Sequence, residues 1–325
     1  MTHPSSPPDL KENPRVWVIT EGMAGTENQC LGVAESLGIP FTTHRVSLNQ
    51  PWKALSPWLG WELSATFCPP LLPPWPDVLI ASGRKSIAAS RYIKKQSCGK
   101  TFTVQIQDPR VPPTQFDLVA VPEHDPTRGE NVIVTNATPN RITAKELARA
   151  KEEFAYLFEK LPATRIAVMI GGSTKTYKIT QDDINTIMGR ILPLSRANSL
   201  MISTSRRTGD DNTARLKKKL DIPHVYFWDG GHPNPYMGML AWADVILVTN
   251  DSTSMISDAA TTGKPVYVLP LVKTTYRQQL LVDNLERYGA IRPFSGKIDH
   301  WTYPPLNDSA AIAAVIREKS GLFVK

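Results

Sequence analysis

The sequence predicts an α/β protein of two Rossmann-like domains facing each other across a cleft, with a nucleotide-type ligand held mainly by the second domain. Three observations carry this expectation. At 325 residues the chain exceeds one ordinary core and suits two domains of roughly 150 residues each. Short apolar runs alternate with amphipathic stretches, as in parallel strands joined by crossover helices. The alternation breaks at Pro162 and restarts at Arg165–Ile170 (RIAVMI). The expected division is therefore a Pro/Ser-rich tail over residues 1–14, a first domain over 15–161, a second over 162–306, and a final helix over 307–325 packing back on the first.

Each element has its own signal. Arg15–Thr20 (RVWVIT) is an apolar run that leads through a glycine-containing turn into a helix stopped by Gly38. Further strands are expected at Phe41–Val46, Asp77–Ala81, Thr101–Ile106, Asp117–Val121 and, more weakly, Val132–Thr135, with a basic helix over Lys85–Gln96. Between the second and third strands, Leu48–Pro76 holds Trp52, Trp58, Trp61 and Trp75, half of the eight tryptophans. On a short helix Trp52, Trp58 and Trp61 would share one side with Leu55 and Leu59 beside Lys53. The segment therefore reads either as a membrane-interface patch or as an apolar cluster under a long loop. Asn140–Leu161 reads as one long helix, with Thr143 and Glu146 spaced as a capping box. In the second half, strands are expected at Ser199–Ser203, His224–Trp228, Asp244–Val248 and Pro265–Leu269.

Composition excludes several classes. Hydrophobic residues at 41% and charged residues at 21% rule out a disordered chain and leave enough apolar area for two cores. No apolar run approaches the roughly 20 residues that span a bilayer, and the N-terminal residues lack a basic-then-apolar leader pattern. Cys30, Cys68 and Cys98 are odd in number and lack metal-type spacing, so neither a disulfide framework nor a zinc site is expected and a reducing cytoplasm fits. Any membrane association would be peripheral, on the inner face. The formal charge of +7 is uneven: Lys and Arg outnumber Asp and Glu by 17 to 16 in residues 1–160 and by 20 to 14 in residues 161–325. An anionic small ligand or an anionic membrane surface fits this better than nucleic acid, and a basic face kept for solubility is the plain alternative.

Ligands of open parallel sheets sit outside the carboxyl ends of the strands, so the loops there are the candidate site. After the first strand come Gly22 and Gly25, then Glu27, Asn28 and Gln29 at a helix start. After the fifth come Glu123, His124 and Asp125, a group able to supply a general base. The second domain is richer. Gly171, Gly172, Ser173, Thr174 and Lys175 suggest an anion nest, though without Walker spacing. Ser205, Arg206 and Arg207 end another strand, where adjacent guanidinium groups can grip phosphate. Asp251, Ser252, Ser254 and Met255 start a helix whose hydroxyls can contact phosphate, with Asp258 about one turn inside as a ribose acceptor. Helix capping is the competing role for Asp251 and Ser252.

The stretches IGGSTKTY, NDSTSMISDAATTGKPVYVLPL and YRQQLLVDNLERYGA resemble the donor domain of GT-B glycosyltransferases, particularly enzymes that add N-acetylglucosamine to lipid II precursors. That resemblance implies diphosphate contact by Gly171, Gly172 and Ser173, ribose contact by Asp258, and sugar contact by Gln278 and Gln279. Asp258 stands where a longer Glu is usual. Over nearly its whole length the chain more closely resembles the mitochondrial-fission ELM family, through GMAGTENQCLGVAESLG, VQIQDPRVPPTQFDLVAVPEHD, STSRRTG and NPYMGMLAWADVILVTNDSTSM. The resemblance implies a GT-B-like fold. It also implies, by analogy with plant members that recruit a dynamin-related protein at the mitochondrial surface, an adaptor role; lacking a plant-style extension, the chain looks like a bacterial member.

Three functional readings follow. The first is a metal-independent glycosyltransferase that uses a nucleotide sugar as co-substrate, with no resident cofactor, on a cell-envelope or lipid-linked acceptor. Glu27 is its first candidate base, ahead of Glu123, His124 and Asp125, while Lys175, Arg206 and Arg207 stabilise the leaving diphosphate. The second is a non-catalytic membrane-associated adaptor. The third is an epimerase of the same architecture.

Overall fold

A computed structural model describes residues 14–174, 177–228, 230–270 and 275–323. The chain divides into two compact units, residues 1–141 with 307–325, and residues 142–306.

In the first unit, β1 (Val16–Thr20) leads into α1 (Ala24–Ser36) and β2 (Phe41–Arg45). The tryptophan-rich segment follows as β3 (Ser47–Leu48), α2 (Trp52–Leu55) and β4 (Phe67–Cys68), with β3 and β4 antiparallel. Then come β5 (Val78–Ser82), α3 (Ser86–Gln96), β6 (Phe102–Ile106), β7 (Leu118–Pro122) and β8 (Val132–Thr135). The six longer strands form a parallel sheet in the order β2-β1-β5-β6-β7-β8. Side chains of successive strand residues point to opposite faces, so each central strand feeds two cores. Val16, Val18, Val78 and Ile80 pack on one face with Cys30, Val33 and Leu37 of α1. Trp17, Ile19, Leu79 and Ala81 pack on the other with Ala89, Tyr92 and Ile93 of α3.

The tryptophans do not share a helix face. Only Trp52–Leu55 is helical, because the chain turns through prolines on both sides of it. Trp52 and Trp75 pack partly into the core around Trp17 and Tyr92. Trp58 and Trp61 lie in the loop beyond and are 64% and 88% exposed.

The expected long helix is two pieces, α4 (Ala144–Glu153) and α5 (Ala155–Phe158). Thr143 caps α4 by accepting the Glu146 N–H at 3.1 Å. The helix breaks at Phe154, whose buried side chain lies where any Cβ on Gly238 would fall, 2.6 Å away. That approach ties the segment to the second unit, so the boundary falls at residue 142 and not at Pro162.

The second unit continues with β9 (Arg165–Ile170), α6 (Gln181–Ile191), β10 (Ser199–Thr204), α7 (Asp210–Lys219), β11 (Val225–Trp228), α8 (Tyr236–Trp242), β12 (Val245–Thr249), α9 (Thr253–Thr261), β13 (Val266–Leu269), α10 (Tyr276–Arg287) and β14 (Ile291–Pro293). Its parallel sheet runs β11-β10-β9-β12-β13-β14. The short edge strand β14 was not foreseen, since three residues ending in proline carry little periodic signal. Strand order reverses between β9 and β12 here, and between β1 and β5 in the first unit. Loops diverge at such points and leave a crevice above the strand ends.

The last helix, α11 (Asp308–Ser320), returns to the first unit, where Ile312 and Ile316 join the α1 side of the core. The buried carboxylate of Asp308 accepts the N–H groups of Asn136 and Ala137 at 3.0 and 3.1 Å. Ser309 Oγ accepts the Asn140 N–H and donates to the Asn140 carbonyl. Beneath this clasp Gly32 of α1 leaves no room, since a Cβ there would lie 2.0 Å from the Asn140 carbonyl oxygen. Gly32→Ala is therefore expected to destabilise the protein by about 1–3 kcal/mol by overpacking, read as a lower urea midpoint; unchanged stability would show that the loop yields freely.

Candidate functional site

At the carboxyl end of the second sheet, three loops converge on Asp251, whose side chain is fully buried. Its Oδ2 accepts the Gly172 N–H at 2.9 Å and pairs with Arg207 at 3.2 Å. Its Oδ1 accepts the Thr249 hydroxyl at 2.7 Å, and that hydroxyl oxygen in turn accepts the Gly171 N–H at 2.8 Å. The carboxylate thus fastens the loops after β9, β10 and β12 to one another. A buried charge persists only with such partners.

In this arrangement the backbone donors of the anion nest expected at Gly171–Lys175 are engaged within the protein as far as Thr174. The N–H groups of Gly171 and Gly172 are taken as above, that of Ser173 by the Arg207 carbonyl at 2.9 Å, and that of Thr174 by the Tyr177 carbonyl at 2.7 Å. Lys175 lies outside the described residues. The glycines serve close packing: a Cβ on Gly171 would fall 2.1 Å from Asp251 Oδ2, and one on Gly172 would fall 2.2 Å from the Arg207 backbone. Arg207 is likewise committed, donating also to the Ser173 carbonyl at 3.2 Å. Ser205 caps the turn at 206–208 by accepting the Arg207 N–H.

What remains open is the start of α9 and Arg206. Ser252 caps the helix and accepts the Met255 N–H at 3.4 Å. The N–H groups of Thr253 and Ser254 precede the first intrahelical partner and meet no acceptor among the described residues. Both side chains are partly accessible, as is Met255. Arg206 is exposed and has no ion-pair partner among the described residues. Together these offer backbone donors, two hydroxyls and one guanidinium to an anion, in a field the helix dipole makes favourable.

Asp258 takes the hydroxyl of Tyr236 at 3.0 Å. Burial raises its pKa to about 7, against the opposing pull of that hydrogen bond. Tyr236, the first residue of α8, is the partner of Asp258 that a reading of the loops alone does not find; its position in NPYMGM is the signal for it. Gln278 holds structure as well: its Nε2 donates to the Asp251 carbonyl at 2.8 Å, and its Oε1 caps α10 by accepting from Thr275 at 2.9 Å. Gln279 donates to Asp283 one turn on.

In the first unit, Glu27 is gripped through both oxygens by Arg45, at 2.6 and 3.0 Å. Those bonds hold its carboxyl below the usual carboxylate range despite partial burial, which makes it a weak base as it stands. Asp125 is buried and accepts the Asp108 N–H at 3.2 Å, and His124 beside it is half-buried. Glu123 is the least committed, exposed and 3.9 Å from Arg128. Gly22 needs its positive φ of 80° for the turn after β1, where its N–H meets the Thr20 hydroxyl. Gly25 and Asn28 are exposed on α1, whereas Gln29 is buried and accepts from Ser82 across the strand-order reversal.

Comparison with known proteins bears on this geometry. The family model described as Mitochondrial fission ELM1 matches residues 24–320. The chain belongs to the mitochondrial fission ELM1 family. Its relatives include the Mitochondrial fission protein ELM1 of Arabidopsis thaliana, 28% identical, with 94% of this chain and 91% of the plant protein covered. Among solved structures, the UDP-GlcNAc 2-epimerase of Methanocaldococcus jannaschii superposes with a TM-score of 0.56 at 12% identity, covering 94% of this ELM1-family chain and 99% of the epimerase. The same enzyme in complex with UDP-GlcNAc and UDP gives 0.53. The wall teichoic acid polymerase TagF gives 0.50 at 8% identity, covering 96% and 90%. The ELM1-family chain therefore has the GT-B fold, as its sequence predicted.

Two outcomes are expected. Asp251→Ala, which strands Arg207 and the Gly172 N–H, should lower unfolding free energy by on the order of 3 kcal/mol in urea titration. Asp258 binds its proton more tightly folded, near pH 7, than unfolded, near 3.8. Its contribution to stability is therefore fully present below the lower value and lost as pH rises through the upper one. Melting curves should show wild type losing ground to Asp258→Asn from about pH 4 to about pH 8, and parallel curves would remove Asp258 as the cause.

Proposed function

We propose that this chain binds a nucleotide sugar, UDP-linked, above β9, β10 and β12, and transfers the sugar to a cell-envelope or lipid-linked acceptor. The observation that carries the reading is the α9 start: N–H groups of Thr253 and Ser254 that meet no acceptor among the described residues, at the strand end where the order reverses, with Arg206 exposed at the end of β10 and without an ion-pair partner among the described residues. A diphosphate carries the charge such a site selects. Arg206 and the helix start would take up the charge that develops on the leaving diphosphate. Asp258 of α9 and Tyr236 of α8, bonded to each other, would offer their remaining hydrogen-bonding capacity to hydroxyls of ribose or sugar. The acceptor proton passes to a general base. The UDP-GlcNAc bound by the epimerase and the envelope polymer made by TagF supply the substrate classes.

A second reading, an adaptor that keeps the fold without catalysis, is favoured by one observation. All four N–H groups from Gly171 to Thr174 are internally occupied, which leaves the diphosphate fewer donors. The family's plant relative, a mitochondrial fission protein, fits it.

Thermal shift separates the two. UDP or UDP-GlcNAc at about 100 times its dissociation constant should add about 2.7 kcal/mol of stability. Arg206→Ala should weaken binding about tenfold with the melting temperature of the free protein unchanged. No shift with any nucleotide or nucleotide sugar would reject the transferase and leave the adaptor.

A further inference from the structure

The first unit carries a surface that its own fold leaves unexplained. Five of its large apolar side chains in one short stretch face solvent: Leu55, Trp58, Trp61, Leu63 and Leu72, each at least 50% exposed. Isolated exposed apolar residues are ordinary, but a cluster around two tryptophans is not. Trp61 sits at φ 59°, so the backbone holds this bulky residue outward in a conformation L-residues rarely adopt.

The surrounding charge is one-sided. Over residues 48–76 and 82–100 the sequence has Glu62 against Lys53, Arg84, Lys85, Arg91, Lys94, Lys95 and Lys100; Lys85, Arg91 and Lys94 are paired with Glu21, Glu62 and Asp117, which leaves Lys53, Arg84, Lys95 and Lys100 as the excess. Glu62 is buried and held by Arg91, which also ties down the loop by donating to the carbonyls of Pro57 and Leu59 at 2.7 and 2.8 Å. The loop is thus fixed and not a loose excursion. Arg84 lies over the Trp58 ring at 5.9 Å. An open cavity of about 530 Å³ adjoins it, lined by Trp58, Gly60, Arg91, Lys94, Lys95 and Gln115. The amide oxygen of Gln115 is buried without a hydrogen-bond partner, and Lys95 is exposed.

The geometry points to a docking surface for an anionic phospholipid bilayer, in which Trp58 and Trp61 enter the headgroup zone and the cavity beside Trp58 receives one headgroup. Tryptophan prefers that zone because its ring is apolar and its N–H polar. Arg84 and Lys95 flank Trp58 and, with Lys53 of α2, complement lipid phosphates, each adding attraction within a Debye length of the surface. In the cavity Lys95 meets the phosphate, while the unpartnered Gln115 oxygen accepts a hydroxyl, as the glycerol headgroup of phosphatidylglycerol supplies. The inference uses residues of the first unit alone and stands apart from the nucleotide reading.

Flotation of the full-length protein with vesicles tests it. Wild type is expected to float with phosphatidylglycerol/phosphatidylcholine vesicles, weakly with phosphatidylcholine alone, and less at high salt. Trp58→Ser with Trp61→Ser should reduce partitioning by on the order of tenfold or more. Lys95→Glu, an exposed position, should weaken binding to the anionic vesicles alone. Tyr156→Ser, which removes an aromatic side chain 69% exposed elsewhere, should change nothing. Unchanged melting temperatures establish that the variants are folded. Wild type that stays in the soluble fraction, or variants that float as it does, would overturn the proposal. So would competition by free glycerol phosphate, which would make the cavity a soluble-ligand site, or a wild-type dimer that the tryptophan variant abolishes, which would assign the patch to a second copy.

Discussion

The buried carboxylate of Asp251 is the constraint on which the second unit's site depends. A charge with no water around it must find donors, and here a backbone amide, a hydroxyl and a guanidinium from three loops supply them. Because each partner comes from a different strand end, satisfying one side chain also fixes the relative height of the loops after β9, β10 and β12. The glycines at 171 and 172 follow from that geometry, since any side chain there would strike Asp251 or the 205–208 turn. Residues that look like ligand contacts in such a loop are then the framework of the site. The groups free for other contacts are the neighbours that the framework does not use.

That distinction explains what the sequence conveyed and what it did not. The two sheets followed from apolar runs such as VWVIT, VLIAS and RIAVMI, because a strand covered on both faces must be apolar throughout. Caps at Thr143 and Ser252 were readable from local chemistry. Which way a polar group turns was not. Gln278 faces Asp251, and Glu27 faces Arg45 on the neighbouring strand, and both contacts arise only when segments far apart in sequence are brought together. The break at Phe154 was hidden for the same reason: the sequence from 144 to 153 has good helix formers throughout and no glycine or proline follows before Pro162, while Phe154 packs closely on Gly238.

The tryptophan-rich segment divides its tryptophans between two environments. Trp52 and Trp75 help fill the core beneath α3, while Trp58 and Trp61 stand in solvent a few residues away. Helical spacing was the wrong frame for it, because proline limits α2 to four residues. No helix among the described residues is long and apolar enough to cross a membrane.

The return of α11 to the first unit has a consequence for how the protein comes into being. Ile312 and Ile316 fill the α1 face of the first core, and Asp308 and Ser309 fasten the 136–140 strand exit. A ribosome delivers these residues only after the whole of the second unit. The second unit can therefore close while the first still exposes the apolar stripe of α1, so the half that emerges first is the last to be finished. During synthesis that stripe stays uncovered until α11 arrives.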